Sequence, residues 1–346
     1  GWFVPNGGGG ASTGAPPAPR PCYLRRPFAE RVDVRELPGG ARLAVLENPH
    51  APTVTMAGTL GAGLAAAEDG RFTVPSLTAA MLDRGTTEHD RFELARELED
   101  HGLHLGVRTM SNSPGTVSFS AQGLSDELDR LARLLVEVLR YPTFPADELE
   151  RLRRRVIGAL QRERDDTSAQ AHAALTRRIY PVGHPLHKRT VDDRQAELEV
   201  VTRDELEAFH RRAYGFGSLV LAVVGNVRAG EVVDALSHRL QGWQRGADVD
   251  LEFPAELGAA AKDARIDLPD RPNLDFYLGH AGRLRRGDAD LAAAILANSC
   301  LGQSALTSRL GVAVRDEAGL SYSVYSRFFG TCLLYTSDAA DELRAV

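Results

Sequence analysis

The sequence predicts an α+β fold made of one strand-and-helix unit followed by a shorter, incomplete echo of it. Three observations lead there. Alternating polar and apolar runs come in groups, with groups of helically spaced segments between them. Beyond residue 262 strand-like runs begin again and lead into an Ala-rich helix, which is the pattern of an internal repeat. The 346 residues, 43% of them hydrophobic, suffice for two cores at ~100–200 residues each.

The elements follow in order. Arg31–Leu37 and Ala41–Glu47 alternate around Pro38-Gly39-Gly40, a hairpin signal. Thr53–Leu60 is a third strand, broken by Gly58, Gly61 and Gly63. Pro75–Arg84 has helical spacing and ends at Gly85-Thr86, and Phe92–His101 is an amphipathic helix closed by Gly102. Leu103–Met110 and Gly115–Gln122 read as a strand pair, and Leu124–Leu139 as a helix with Leu128, Leu131, Leu135 and Leu139 on one stripe. Ala146–Asp165 is a long charged helix whose Glu/Arg pairs fit a solvated face. Ala169–Tyr180 and Arg203–Ala213 are helices, Ser218–Val224 a buried strand, and Ala229–Leu240 a helix. Gly246–Lys262 reads as a linker. After it Arg265–Leu268 and Leu274–Leu278 are strand-like, Ala289–Leu301 and Leu310–Glu317 helical, and Leu320–Phe328 a strand.

Composition excludes several functions. The net charge of −6 argues against a nucleic-acid binder held by bulk positive charge. No apolar run approaches the ~20 residues of a membrane helix. Cys22, Cys300 and Cys332 are too few and scattered for a disulfide framework or a four-thiolate zinc site. Of 41 basic residues only Lys188 and Lys262 are Lys, which reads as coding bias.

The ends look cut. Gly1–Pro5 reads like the tail of a strand, and Asn6–Pro21 is Gly-rich and then Pro-rich, a linker signature. No basic n-region with an apolar h-region is visible. Cys332–Glu342 resembles a translated sequencing-library adapter. The expectation is a natural polypeptide that continues past Thr331, with Cys332–Val346 packing poorly.

Few constellations carry chemistry. His184 and His187 sit in Pro181-Val-Gly-His-Pro-Leu-His187, where two zinc ligands are weighed against a Pro-ordered loop. Without a third ligand nearby the ordered loop is the expectation. His101 and His104 straddle Gly102 and do not share a helix face. Cys300 reads as a small core residue, and Gly58–Gly63 lacks the full dinucleotide pattern. The informative stretch is Asn298-Ser-Cys-Leu-Gly302, Ser308-Arg-Leu310 and Val314-Arg-Asp-Glu-Ala-Gly-Leu-Ser-Tyr-Ser-Val-Tyr-Ser326. An Arg ends a helix, a Gly turn follows, and a Tyr stands at the next strand. Arg315 and Tyr322 offer donors suited to a peptide carbonyl or oxyanion. The plainer alternative is a helix-terminal Arg and a core Tyr.

This stretch resembles the insulinase/pitrilysin family of zinc peptidases, the inverzincins with an H-x-x-E-H site. The resemblance runs from about Phe28 to about Thr331. It takes in Leu37–Gly40, Met81–Thr86, Glu99–Gly102, Pro142–Pro145 with Glu148-Leu149, His184-Pro185, Val223–Val227 and the Arg315…Tyr322 block. It implies two tandem related α/β-roll domains, each an antiparallel sheet packed with helices, the second incomplete. The implied boundaries are 1–26 for the end of a preceding half plus linker and 27–245 for a peptidase-like domain. A linker over 246–262, a truncated second domain over 263–331 and an adapter-derived tail over 332–346 complete the expectation.

The departures decide the functional expectation. Counting back from Gly85-Thr86, the two His ligands and the Glu of the family fall on Ser76, Ala80 and Ala79. The third ligand falls at about Ala159, a placement open to a slip of one turn. Val74–Leu82 contains no His, Glu, Asp or Cys. Zinc hydrolysis needs ligands and an activated water, so no metal is expected in this chain. The resemblance then implies a non-catalytic half, with zinc in a partner catalytic half that is fused upstream or separate. Arg315 and Tyr322 match a substrate-binding pair, and the partners implied are that catalytic half and a peptide, with no nucleic acid. An exported or periplasmic bacterial setting is implied, with a cytoplasmic one open. The competing readings are a structural or assembly subunit of the same fold and an independent enzyme with metal at His184/His187.

Overall fold

A computed structural model describes residues 28–37, 39–68, 70–110, 113–246, 263–280, 284, 288–330, 335–336 and 341–345. The chain opens with a single helical turn, α1 (Phe28–Arg31), and the strands β1 (Val32–Glu36), β2 (Arg42–Glu47) and β3 (Thr53–Leu60). α2 (Thr73–Met81) and α3 (Arg91–Asp100) follow, then β4 (His104–Met110), β5 (Ser113–Leu124) and α4 (Leu128–Arg140). Four helices come next: α5 (Ala146–Arg164), α6 (Thr167–Ile179), α7 (Val191–Val200) and α8 (Arg203–Ala213). β6 (Val220–Gly225) and α9 (Ala229–Leu240) complete this part.

β1 to β6 form one sheet in the order β1-β2-β6-β3-β5-β4. The expected antiparallel sheet is corrected at one seam, because β2 and β6 run parallel, with Leu43 opposite Leu221 and Val45 opposite Val223. The reason lies in the connection. β6 arrives after the whole helical segment and is threaded between β2 and β3, which a hairpin cannot do. Alternation then sorts side chains by face. Leu43, Val45, Val54, Met56, Val117, Phe119, Leu221 and Val223 turn inward to one core with Leu131, Leu134, Leu135 and Val138 of α4. The stripe expected on α4, Leu128, Leu131, Leu135 and Leu139, is buried along its length.

Local chemistry starts the helices where the sequence places them. At α3 the Asp90 carboxylate accepts from Phe92 N (2.7 Å) and Glu93 N (2.8 Å), and Glu93 accepts from Asp90 N (2.9 Å). This reciprocal box satisfies donors that the first helical turn leaves open. Thr202 and Glu205 repeat it at α8. The helix α7 was not expected. Its apolar spacing is thin, with Val191, Glu197 and Leu198 the residues it buries, and tertiary contacts hold it.

At the heart of the first core Tyr214 stacks on His210 at 4.7 Å, and its hydroxyl is buried without a hydrogen-bond partner. Burial pushes this phenol up and keeps it protonated. Tyr214→Phe removes an unsatisfied donor and leaves the ring. It is therefore expected to hold or raise stability by about 1 kcal/mol. A urea midpoint well below wild type would show that the hydroxyl has a partner after all.

Beyond residue 263 come β7 (Leu274–Leu278), α10 (Leu291–Asn298) and β8 (Ser323–Tyr325), then β9 (Phe329–Gly330), β10 (Tyr335–Thr336) and β11 (Asp341–Ala345). Several expectations are corrected here. Arg265–Leu268 is not a strand. The strand expected over Leu320–Phe328 is limited to β8, and Leu310–Glu317 is a wide π-type helix over Gly311–Glu317. Within the tail expected to pack poorly, residues 341–345 pair as β11, the middle strand of β7-β11-β8. Two open strand edges present rows of backbone donors and acceptors, and an extended segment of almost any sequence can pair with them. Gly1–Pro5 and the linkers over 1–26 and 247–262 lie outside the described residues.

β7 docks on α6. Asp275 accepts from the Thr167 hydroxyl, the Ser168 and Tyr277 hydroxyls meet at 2.8 Å, and the His172 ring stands edge-on to Tyr277 at 5.3 Å. No described helix is long and apolar enough to cross a membrane.

Candidate functional site

α2 is the helix on which the resemblance places a metal site. Leu77, Thr78, Ala79 and Met81 face the core, while Ser76 and Ala80 are half-buried one turn apart. Glu197 of α7 accepts from Thr73 N (3.0 Å), a donor in the helix's first turn, and Arg71 and Arg189 neutralise that carboxylate. Ala159 is exposed on α5. The alanines carry no donor atom, and a lone Ser hydroxyl is a poor zinc ligand. These four positions therefore do not fit the zinc that the family implies.

The Gly85-Thr86 turn after α2 is held from α4. Glu137, buried within its helix, accepts from the Thr86 hydroxyl (2.5 Å) and from His89 Nδ1–H (2.8 Å) on one oxygen. Glu88, His89 and Glu137 place three donor atoms within 4.8 Å of one another, the one such group among the described residues. Arg133 already supplies the positive charge there, 3.5 Å from Glu137 and 3.8 Å from Glu88. The cluster is an ion-pair network, and nothing in the sequence pattern marked it.

The other histidine candidates are also spoken for. His184 is buried, stacks on Tyr180 at 4.6 Å and accepts from Leu186 N at 3.0 Å through Nδ1. His187 Nδ1–H donates to the Tyr180 carbonyl (2.8 Å). Burial, and secondarily the charge of His187, push His184 down to about 4. His101 caps α3 and bonds Glu127 at 3.1 Å, while His104 opens β4. Cys300 is exposed rather than in the core, because the π-type turn Ser299–Gln303 that continues α10 buries only Gly302.

Arg315 and Tyr322 flank one turn. The π-type helix ends at Ala318, whose N–H bonds the Ala313 carbonyl (3.1 Å), and Leu320 N bonds the Val314 carbonyl (3.0 Å). Gly319 between them has φ +63°, the left-handed conformation that a reversal here requires. Tyr322 is 82% exposed. Arg315 donates through Nε to Asp316 at 2.8 Å. That bond holds its guanidinium above the usual range, with the Tyr322 phenol adding a smaller contribution. The structure thus places Tyr322 at the surface instead of the core of the plainer alternative, with the partly exposed Arg315 paired to Asp316 on the other side of the turn.

Fold and site together define an α+β peptidase-type scaffold whose metal positions carry no ligands. The model of the insulinase peptidase family M16 matches residues 42–190, and that of the M16 peptidase inactive domain matches 201–341. The chain belongs to peptidase family M16. It is similar to a non-peptidase homologue, YmxG, of Helicobacter pylori, 23% identical over 72% of this chain and 56% of that protein. A zinc protease of Streptomyces coelicolor is 25% identical over 88% of this chain and 64% of its own length. The solved M16 inactive domain from Pseudomonas fluorescens is 24% identical, with a TM-score of 0.77 over 91% of this chain and 74% of that one. The chain spans between half and two thirds of the length of these two curated relatives. The second of the two family models is that of the inactive domain, and the α2 positions of this chain hold no zinc ligands.

Proposed function

We propose that this chain is the substrate-presenting, non-catalytic half of a zinc metalloendopeptidase, enclosing peptide beside a catalytic half. The observation that carries the reading is the exposed Tyr322 with the partly exposed Arg315 across one hydrogen-bonded turn, in a chain whose α2 holds no zinc ligands. The partner supplies zinc hydrolysis. Arg315 and Tyr322 donate to the backbone of an extended peptide, and a guanidinium bears charge that develops on a carbonyl oxygen. In the two-half assembly, Arg315→Ala is expected to lower peptide cleavage about tenfold to a hundredfold at unchanged zinc content. Tyr322→Phe should lower it less. Cleavage unaffected by either change removes the pair from the reaction.

One observation favours a second reading, an assembly subunit without a role in proteolysis: Asp316 already occupies the Arg315 Nε. Asp316→Asn separates the two. It frees the guanidinium and tightens peptide binding if Arg315 serves substrate, and leaves binding untouched if it serves only the fold.

A further inference from the structure

Two buried polar side chains close to this turn lie off it. Asn298 ends α10 and Ser326 follows β8, and both are more than nine-tenths buried. Ser326 Oγ donates to Asn298 Oδ1 (2.8 Å), Asn298 Nδ2 donates to the Ser326 carbonyl (3.1 Å), and Ser326 N donates to the Gly302 carbonyl (2.9 Å). A side chain at Gly302 would meet the Ser326 hydroxyl, so the glycine allows the close approach. We infer that Asn298 and Ser326 are positioning residues: their reciprocal pair pins β8 to the α10 end, fixing Tyr322 across the turn from Arg315. The inference rests on the peptide-binding reading of that pair.

The path from clamp to site is short. Tyr322 is the residue before β8 and Ser326 the residue after it, so the three-residue strand has little freedom to move one without the other. The π-type helix that carries Arg315 packs on β8. Its start is anchored by Ser308, buried, whose hydroxyl accepts from Gly311 N at 3.1 Å. Ser321 Oγ donates to the Ser323 carbonyl (2.7 Å) and stiffens the entry to the strand. The Tyr322 ring, exposed as it is, therefore takes its position from backbone held on both sides. Buried neutral hydrogen bonds without an alternative partner favour one arrangement over its neighbours.

The test uses the full chain with a fluorescein-labelled unstructured peptide, read by anisotropy, and a 3-fluorotyrosine placed at position 322, read by fluorine resonance. Ser326→Ala and Asn298→Leu are expected to weaken the peptide about fivefold to tenfold. Both should move the fluorine signal toward that of Arg315→Gln, because the ring no longer keeps a fixed place in the field of the guanidinium. Ser326→Ala is the milder change and carries the test if Asn298→Leu does not fold. Should Arg315→Ala weaken the peptide while Ser326→Ala changes neither affinity nor resonance, the positioning inference is overturned and the peptide-binding reading stands. Should Arg315→Ala leave the affinity unchanged, the reading fails and the inference falls with it.

Discussion

Glu137→Ala is expected to lower the unfolding free energy by about 3 kcal/mol, seen as a lower urea midpoint at unchanged slope. The carboxylate is buried in α4, and the Thr86 hydroxyl, itself buried, and His89 Nδ1–H both rely on it. Removing it takes the acceptor from His89 Nδ1–H, leaves the Thr86 hydroxyl only its longer bond to the His89 carbonyl (3.2 Å), and deprives Arg133 of one partner, though Glu97 still accepts from Arg133 at 2.8 Å. That remaining partner keeps the cost below what a lone buried charge would suffer. Glu137→Gln retains an acceptor of the same shape and should cost about 1 kcal/mol. The consequence reaches α2, since this network fixes the turn that ends the ligand-free helix. A Glu137→Ala midpoint equal to wild type would show that the turn holds itself.

Acidification from pH 6.5 toward 4 should destabilise the fold through His184. Its folded-state value is pushed down to about 4 by burial, and to a lesser degree by His187. The unfolded chain takes up a proton near the ordinary imidazole value of ~6.5, while the folded chain resists it. The contribution is therefore fully present above ~6.5 and is lost as pH falls through the window to about 4. It amounts to about 2 kcal/mol once solvent screening at a loop is allowed for. His210, lowered first by burial and bonded to the Leu139 carbonyl at 2.9 Å, acts in the same direction. His184→Phe keeps a ring on Tyr180 and abolishes the titration. The stability gap between variant and wild type should shift toward the variant on acidification. A gap that stays flat from neutral to acid pH would refute the assignment.

Much of the first sheet and its helices was legible in the residues. The α4 stripe and the long charged α5 announce themselves through side-chain period, and the Asp90 cap through local hydrogen bonding, so each needs no distant partner to be read. α7 and the parallel β2–β6 seam were not legible, because one is stabilised by what packs on it and the other is a choice of neighbour. At the site, Arg315 and Tyr322 stood out as residue types in a suggestive order. Asn298 and Ser326 lie in the same stretch with no sign of a role in the sequence, since a buried hydrogen bond between residues 28 apart leaves no periodic trace.

By itself the sequence determined which chemistry α2 lacks: Ala79 and Ala80 have no atoms with which to ligate a metal, whatever the fold around them. Only the tertiary structure decided what is presented. Exposure of Tyr322, pairing of Arg315 with Asp316, and the burial that holds Glu137 and Ser326 in place depend on which distant segments come together. The physical reason is range: covalent composition is fixed residue by residue, whereas burial and hydrogen-bond partnership arise when remote parts of the chain exclude water from one another.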